Sequence, residues 1–519
     1  MAILLTAVPG PGASVKSVER QIWNTWEVRR EITVDPSAEA KVKEYFPSFL
    51  DYQDLMLFHP KIGYYSSGRV SFTTDYRTFP DMLAPFFGDM IAEQTFRMWD
   101  GMRQAGTLGA QERFTLAEFG AGNGALAESI LDYIERQANE NPDHRWREFE
   151  GQAVYACYDR SPALSAAQAK RNARFGKRFE AREGDATDPG ASVEAGSLKG
   201  IILSNELPDA FSVHKVILSA DGTAEVAFVA PSLSTGGWNK LEKLMPAPVL
   251  ELIKRDDQAI KQFMSEKTGI YLSRAAFVAL LESIASAPDY AAKVHTIQFH
   301  EVYVPAQAFP ELTEHLRRYA HDYATELAKG EKGMVVYINL GEGKFVQGAA
   351  RLLKAGYVVT VDYGSNWDGI MPQDDFNHLR IYGPRSQRAN SDPYRWPTLN
   401  DITTDVNFSH IAEEGRAAGL NTTYFGPLRA LQSGTPVSLA VLPADRRTDR
   451  QKKDFRGWVE DFQTSVVFKV LVQQKENTDA TYSYPEPFQE PIYASGDQLI
   501  PAQRERAAQI EKRLSIRAD

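Results

Sequence analysis

The chain has 519 residues, of which 43% are hydrophobic and 24% charged, and its net charge is −10. This length exceeds one ordinary domain, and the composition is typical of folded globular proteins. The negative charge argues against nucleic-acid binding, and no apolar run approaches the ~18 residues of a membrane span. Met1–Lys16 lacks the basic segment of a secretory signal, so we expect a cytoplasmic protein.

A glycine-rich turn follows the first clear strand of the chain. The apolar run that begins at Phe114 ends in Glu118, and Ala125–Gln137 has the pattern of a helix. Between them lie three alternating glycines: Gly120, Gly122 and Gly124. Glycines allow a sharp turn and close approach of a ligand to the backbone, and a helix start offers unpaired N–H groups. The pattern predicts a ligand-binding loop, with Glu118 placed to meet a ligand hydroxyl or ammonium.

Two classes of ligand use such a turn. Gly120, Gly122 and Ala125 fit the dinucleotide pattern G-x-G-x-x-A, which expects an acid about 20 residues further on. Here the next strand, Ala153–Tyr158, ends in Asp159, which comes later than that. The pattern E-x-G-x-G-x-G instead resembles the first motif of class I S-adenosylmethionine (SAM) methyltransferases. That resemblance implies that Asp159 holds the ribose hydroxyls of SAM, so we favour SAM over a dinucleotide.

An α/β rhythm continues after Asp159, with a helix over Ala163–Phe175 and a third strand over Phe179–Glu183. Asp185 follows that strand. In SAM enzymes an acid at this place often holds the adenine amino group, although Asp185 could equally cap a turn. We weigh these two roles evenly.

The fourth strand, Gly200–Ser204, leads directly into polar side chains: Asn205, Glu206 and Asp209. In an open parallel sheet, ligands lie outside the carboxyl ends of the strands. These residues are therefore expected where a methyl acceptor would meet SAM. Asn205 is assigned to the cofactor, and Glu206 and Asp209 to catalysis.

The succession of motifs resembles the MidA family of class I methyltransferases, which includes the mitochondrial complex I assembly arginine methyltransferase. The motifs are Gly63-Tyr64-Tyr65 through Thr74, Phe87-Gly88-Asp89, Glu118–Gly124, Asp159–Leu164, Asn205–Val213, Val361–Gly364, Asp401–Phe408 and Phe468–Leu471. The resemblance implies an α/β fold: a seven-stranded Rossmann-like sheet with an N-terminal helical segment. The chain departs from the family at Asp75-Tyr76-Arg77 and by an additional helical segment near Gly237–Glu331.

We divide the chain into five parts by their patterns. They are an N-terminal helical cover (1–110), the first part of the SAM-binding core (111–236), a helical insertion on the acceptor side (237–331), the second part of the core (332–475) and a C-terminal extension (476–519). Within the second part, Tyr357–Asp362 is predicted as a fifth strand and Ser365–Asn400 as a long structureless binding lid. Ser438–Leu442 is predicted as a final strand, and Glu460–Gln474 as a last helix.

The acceptor decides which side chains the reaction needs beyond alignment of nucleophile, carbon and sulfur. An arginine guanidinium must lose a proton and be held by acids, for which Glu206 and Asp209 qualify. A hydroxyl needs a base, for which His214, His295 or His300 could serve.

A carboxylate acceptor needs cations or donors, such as Arg380, Arg385 or Tyr363. We select Glu206, Asp209, His214 and Tyr363 as the catalytic candidates and predict no metal site. The insertion and the Arg-rich loop favour small-molecule O-methylation. The family resemblance implies the alternative, a protein arginine N-methyltransferase acting on a respiratory complex subunit, and a SAM-binding assembly factor is the third hypothesis. We expect a homodimer and no membrane or nucleic-acid partner.

Overall fold

Three β-sheets and the helices around them form the part of the chain that the structure, a computed structural model, describes. The described residues are 36–67, 83–330, 332–370, 378–383, 387–388, 392–438, 449, 452–453, 456, 467–478, 483–484, 488–493 and 499–515. The helices are α1 (Glu39–Tyr45), α2 (Phe49–Phe58), α3 (Phe86–Gln104), α4 (Ala125–Glu140), α5 (Arg145–Gln152), α6 (Pro162–Arg171), α7 (Thr235–Leu241), α8 (Ala247–Ile260), α9 (Arg274–Ile284), α10 (Tyr290–Val294), α11 (Pro310–Arg318), α12 (Ala320–Lys329), α13 (Leu340–Leu352), α14 (Trp367–Ile370), α15 (Phe408–Ala417) and α16 (Pro501–Leu514). The strands are β1 (Phe114–Phe119), β2 (Ala153–Asp159), β3 (Phe179–Glu183), β4 (Leu198–Asn205), β5 (His214–Leu218), β6 (Ala224–Leu233), β7 (Ile270–Tyr271), β8 (Ile297–Pro305), β9 (Met334–Ile338), β10 (Leu353–Ser365), β11 (Leu379–Gly383), β12 (Gln387–Arg388), β13 (Asp401–Thr404), β14 (Val406–Asn407), β15 (Leu420–Pro427) and β16 (Phe468–Lys475).

The main sheet has the order β15-β16-β10-β4-β1-β2-β3, and β14 pairs with β10 beside this path. The pairs from β3 through β10 are parallel, whereas β16 runs antiparallel to both β10 and β15. The central strand β1 is buried along its whole length, as expected where helices cover both faces of a parallel sheet. The predicted α/β Rossmann-like sheet of seven strands is confirmed.

The predicted last helix over Glu460–Gln474 is wrong, because Phe468–Lys475 forms strand β16. Its register pairs Val470 with Val361 and with Gly426. A short apolar run is compatible with a buried helix or a buried strand, and only the two neighbouring strands decide between them. A strand is also predicted over Ser438–Leu442, but only Ser438 of this segment belongs to the described residues.

A second sheet joins the strands β7-β6-β5-β9, with β8 paired to β6. The insertion predicted as helical contains the helices α7 to α12, of which α8 and α9 are the longest. The insertion also contains β7 and β8, which close on β6. The additional segment is therefore helical in part and otherwise completes a sheet.

The third sheet, β12-β11-β13, corrects the expectation that Ser365–Asn400 is structureless. This segment contains α14, β11 and β12. β11 pairs with β13, a partner beyond the segment itself, and so local sequence gave no sign of it.

The N-terminal helices divide between the two larger sheets. Phe49 and Tyr52 of α2 lie in the apolar core of the second sheet, together with Phe277 and Phe299. Helix α3 packs on α4 so closely that a Cβ on Gly88 would lie 2.3 Å from Ser129 Cβ. Among the described residues, no helix is both long enough and apolar enough to span a lipid bilayer.

Candidate active site

The glycine loop between β1 and α4 has a backbone that only glycine adopts easily. Its members are Gly120 (φ 72°), Gly122 (φ 52°) and Gly124 (φ 78°). Positive φ is costly for residues with a Cβ. The loop carbonyls are held by α6 and the residue after it, since Gln168 Nε2 donates to the Gly122 oxygen (2.9 Å) and Asn172 Nδ2 to the Gly124 oxygen (3.1 Å). At the start of α4, Asn123 Oδ1 accepts from the Ala125 N–H (3.0 Å).

Two buried carboxyl groups flank this loop. Glu118 Oε2 accepts a hydrogen bond from the Tyr155 hydroxyl (2.8 Å), and burial raises the pKa of Glu118 to about 7. Asp159 accepts hydrogen bonds from the backbone N–H groups of Ser161 (2.9 Å) and Gly122, and burial raises its pKa to about 6. Asp159 is thus tied directly to the glycine loop, at the end of β2.

Asp185 caps a turn after β3. Its Oδ1 accepts from the Thr187 backbone N–H (2.8 Å) and hydroxyl (2.7 Å). Its other oxygen lies 3.4 Å from Arg160 Nε. The turn-capping role is therefore present, and contact with an adenine amino group stays a prediction.

Helix α2 reaches the same end of the sheet through Arg160. The Arg160 guanidinium contacts Asp54 Oδ1 (3.1 Å) and lies over the Phe58 ring (4.6 Å to the centroid). Since Arg160 directly follows Asp159, the N-terminal segment borders the predicted cofactor site.

The residues after β4 form a strained turn. Glu206 has a φ of 48°, which is uncommon for a residue with a side chain, and its N–H donates to the Val361 oxygen (2.9 Å). Asn205 Nδ2 donates to Glu206 Oε1 (3.3 Å). The buried Asn205 Oδ1 has no hydrogen-bond partner among the described residues, so it can serve a ligand.

Asp209 lies against the end of β10. Its backbone N–H donates to Asp362 Oδ2 (3.3 Å), and Asp362 Oδ1 accepts from the Tyr363 N–H (2.8 Å). The Tyr363 hydroxyl donates to Thr403 Oγ1 (2.5 Å). Burial raises the pKa of Asp209 to about 6 and holds that of Asp362 well above its usual range. Asp209 Oδ1 has no partner among the described residues.

Three alternate positions along β13 and just beyond it face this group: Asp401, Thr403 and Asp405. Asp405 Oδ1 accepts from Arg380 (2.6 Å), whose guanidinium lies 4.4 Å from the Tyr363 ring centroid. Asp401 Oδ1 accepts from the Tyr65 hydroxyl (2.7 Å). We call Asp209, Asp362, Asp401 and Asp405 the acid cluster.

Sequence reasoning selected only Asp209 from the acid cluster. Asp362, Asp401 and Asp405 belong to motifs already quoted, and the alternation of Asp401, Thr403 and Asp405 indicates one face of a strand. That alternation was the available signal, but the partner of this face lies far away in the chain.

Other candidates lie apart from the acid cluster. His214 is on β5 in the second sheet, where its ring packs on Phe309 and burial lowers its pKa to about 4. Trp367 packs on Tyr323. His295 Nδ1 lies 3.3 Å from the Arg395 oxygen. Arg385 is outside the described residues.

The glycine loop, the acid at the end of β2 and the strand order together define a class I SAM-dependent methyltransferase. The residues fit SAM: the positive φ angles of the glycine loop turn the chain sharply from β1 into α4, and Asp159 and Glu118 supply acceptors for hydroxyl and ammonium groups. Residues 90–426 match the model of a family described as "Putative S-adenosyl-L-methionine-dependent methyltransferase". The chain therefore belongs to this methyltransferase family, as its resemblance to MidA indicated.

Solved structures agree with this fold. A crystal structure from Burkholderia thailandensis bound to S-adenosyl-homocysteine (SAH) has 19% sequence identity and a TM-score of 0.54, covering 89% of this chain and 94% of that chain. A native structure from the same organism and superfamily gives 19% identity and a TM-score of 0.53 over the same shares. None of the curated proteins matches the chain.

Proposed function

We propose that this SAM-dependent methyltransferase transfers its methyl group to a nitrogen of a positively charged acceptor, such as a guanidinium. The observation that supports this is the charge of the acid cluster. Asp209, Asp362 and Asp401 are buried, and none of them forms an ion pair with a Lys or Arg among the described residues. The Arg380 guanidinium nitrogens pair with Asp405 instead. A buried carboxylate without a counter-ion is costly, so a cationic acceptor stabilises this arrangement.

Oxygen acceptors are supported less well by the same side chains. A carboxylate acceptor would meet like charges, and the Arg380 guanidinium beside the cluster is already paired with Asp405. A hydroxyl acceptor could use Asp209 as its base, but it is neutral and would leave the buried carboxylates of the cluster without a counter-ion. The insertion, the Arg-rich loop and the departure from the family at Asp75-Tyr76-Arg77 favour O-methylation, whereas the acid cluster favours nitrogen.

When bound, SAM supplies an electrophilic methyl group and leaves as SAH once the nitrogen lone pair has formed the new N–C bond. Asp209 accepts the proton that the acceptor nitrogen loses, through the Oδ1 atom that has no described partner. Asp362 accepts the backbone N–H of Asp209 through one oxygen and the backbone N–H of Tyr363 through the other. Both contacts hold the base in one position during transfer.

The experiment is methyl transfer from radiolabelled SAM to matched acceptors. N-acetyl-L-arginine methylamide should be methylated, whereas its neutral analogue N-acetyl-L-citrulline methylamide and N-acetyl-L-glutamate should not. Asp209→Asn should lower kcat by about 100-fold or more and leave the Kd for SAH within about threefold. The label should withstand mild base, because N-methyl groups are stable there and methyl esters hydrolyse. Base-labile label, or label on the glutamate derivative alone, would contradict the proposal.

The remaining alternatives keep their place as predictions from the sequence. A cationic metabolite and a protein arginine would both present a cationic nitrogen to the site. An assembly factor that only binds SAM would transfer no methyl group in this assay. A cytoplasmic location and a homodimer also stay predictions.

A further inference from the structure

The acid cluster extends beyond the strand ends of the main sheet. Strand β13 belongs to the third sheet, and its alternate side chains each meet a different part of the chain. Asp401 meets Tyr65, Thr403 meets Tyr363, and Asp405 meets Arg380. Side chains two residues apart point to the same face of a strand. One face of β13 therefore forms a wall of the same site that contains Asp209.

Asp401 and Asp405 differ in how their charge is balanced. Asp405 faces the Arg380 guanidinium at 2.6 Å. Asp401 accepts a hydrogen bond from a phenol, which is neutral, and the nearby charge of Asp209 works against its ionisation. Burial and this repulsion raise the pKa of Asp401 to about 7.

A second observation points to a ligand between these two acids. Asp209 is 5% exposed, and its Oδ1 has no hydrogen-bond partner among the described residues. An unpartnered carboxylate oxygen in a buried site is expected to bind a donor when the ligand is present. Arg380 lowers the pKa of Asp209 through its charge but forms no ion pair with it among the described residues. Asp209 and Asp401 together thus offer carboxylate oxygens to a cationic group with N–H donors.

We propose that Asp401 is an acceptor-binding residue that pairs with the cationic group of the acceptor opposite Asp209, and that Tyr65 positions it. This inference rests on the proposed function. It assigns part of the acceptor site to the N-terminal segment, which sequence reasoning regarded as a cover for the cofactor.

The position of Tyr65 is set by helix α2. The Tyr65 ring stacks on Phe58 (5.6 Å between centroids, 22° between planes). Gln53, which is fully buried, accepts from the Val213 N–H (3.0 Å) and donates to the Ile402 oxygen (2.9 Å). The same helix therefore fixes both the loop after β4 and the strand that carries Asp401.

The experiment measures the Kd of N-acetyl-L-arginine methylamide by calorimetry in the presence of SAH, with the citrulline analogue as the uncharged probe. Asp401→Asn should weaken binding of the arginine probe by about 30-fold or more, as expected for loss of a buried charged partner. It should leave SAH affinity and citrulline binding within about threefold. Asp256→Asn removes another buried carboxylate, hydrogen-bonded to Ser273 at 2.5 Å, and serves as the matched control with unchanged binding.

The pH profile separates a positioning role of Tyr65 from a structural one. Affinity for the arginine probe should rise as Asp401 loses its proton. Because the Tyr65 hydroxyl stabilises the ionised carboxylate, Tyr65→Phe should move the midpoint of this profile upward by about one pH unit. The control is Tyr290→Phe, which removes a hydroxyl bonded to Thr398 (2.6 Å), three residues before Asp401. This variant should leave the midpoint of the profile unchanged.

The outcomes are distinguishable. If Asp401→Asn binds the arginine probe as tightly as the wild type while Asp209→Asn does not, the inference fails and the proposed function stands. If Tyr65→Phe weakens binding with no shift of the midpoint, its positioning role fails. If the wild type does not prefer the arginine probe over the citrulline analogue, the proposed function fails and the inference with it. Thermal unfolding and SAH affinity of each variant establish that it is folded.

Discussion

The substitution Gly120→Ala tests whether the loop after β1 binds the cofactor. Gly120 has a φ of 72°, which costs a residue with a Cβ about 1 kcal/mol. The new Cβ would lie 2.6 Å from Leu207 Cδ1, and such overpacking adds about 1–3 kcal/mol. The loop of the free protein can relax to relieve this strain, but the cofactor requires the native conformation. We therefore expect SAH to bind the variant at least about 30-fold more weakly, which corresponds to about 2 kcal/mol.

The assay is calorimetric titration with SAH, and two further variants separate the contributions. Gly106 has nearly the same φ (74°), and nothing lies within 4 Å of its would-be Cβ, so Gly106→Ala should lose some stability and keep its SAH affinity. In a Leu207→Ala background the clash is removed, so Gly120→Ala should weaken SAH only about fivefold. An affinity of Gly120→Ala within threefold of the wild type would refute the reasoning.

Two other variants test charge at buried sites. Asp159→Asn removes the acid at the end of β2 and should weaken SAH binding by about 10-fold or more, since a hydrogen bond to a charged group contributes about 1.5–3 kcal/mol. The control Glu140→Gln, at the exposed end of α4, should leave SAH affinity unchanged. If Asp159→Asn binds SAH as tightly as Glu140→Gln does, Asp159 does not hold the cofactor. Burial lowers the pKa of His315 to about 3, so the unfolded chain binds the proton first as the pH falls below about 6.5. The stability that depends on a neutral His315 is therefore fully present above that pH. About 2 kcal/mol of the free energy of unfolding should be lost between pH 7 and pH 5. Urea unfolding of His315→Gln should be less sensitive to pH over this range than that of the wild type, and an unchanged pH dependence would show that another group is responsible.

The predictions for the cofactor half of the site rest on local signals. The strand, the glycine loop and the helix lie within one stretch, Phe114–Glu140, and the acid at the end of β2 follows from the topology of parallel sheets. The same rule led to Asp209. These predictions required no knowledge of which strands pair with each other.

The proposed acceptor half depends on contacts between distant segments. Tyr65 and Asp401 are 336 positions apart, and no local pattern connects them. The second sheet was missed for the same reason, because β6 pairs with β8 across helices α7–α10. In that region the strongest periodic signal was helical, so the predicted insertion contained helices alone.

The place of β16 in the main sheet has a consequence for synthesis of the protein. Among the strands of that sheet it is the last to leave the ribosome, yet it lies between β10 and β15. Among the described strands, a nascent chain that has reached β15 therefore holds β10 without its neighbour β16 and β15 without a partner in this sheet. Unpaired edges promote association between chains. Chains that stop before Phe468 should aggregate or be degraded, and chaperone demand should fall sharply once β16 is released.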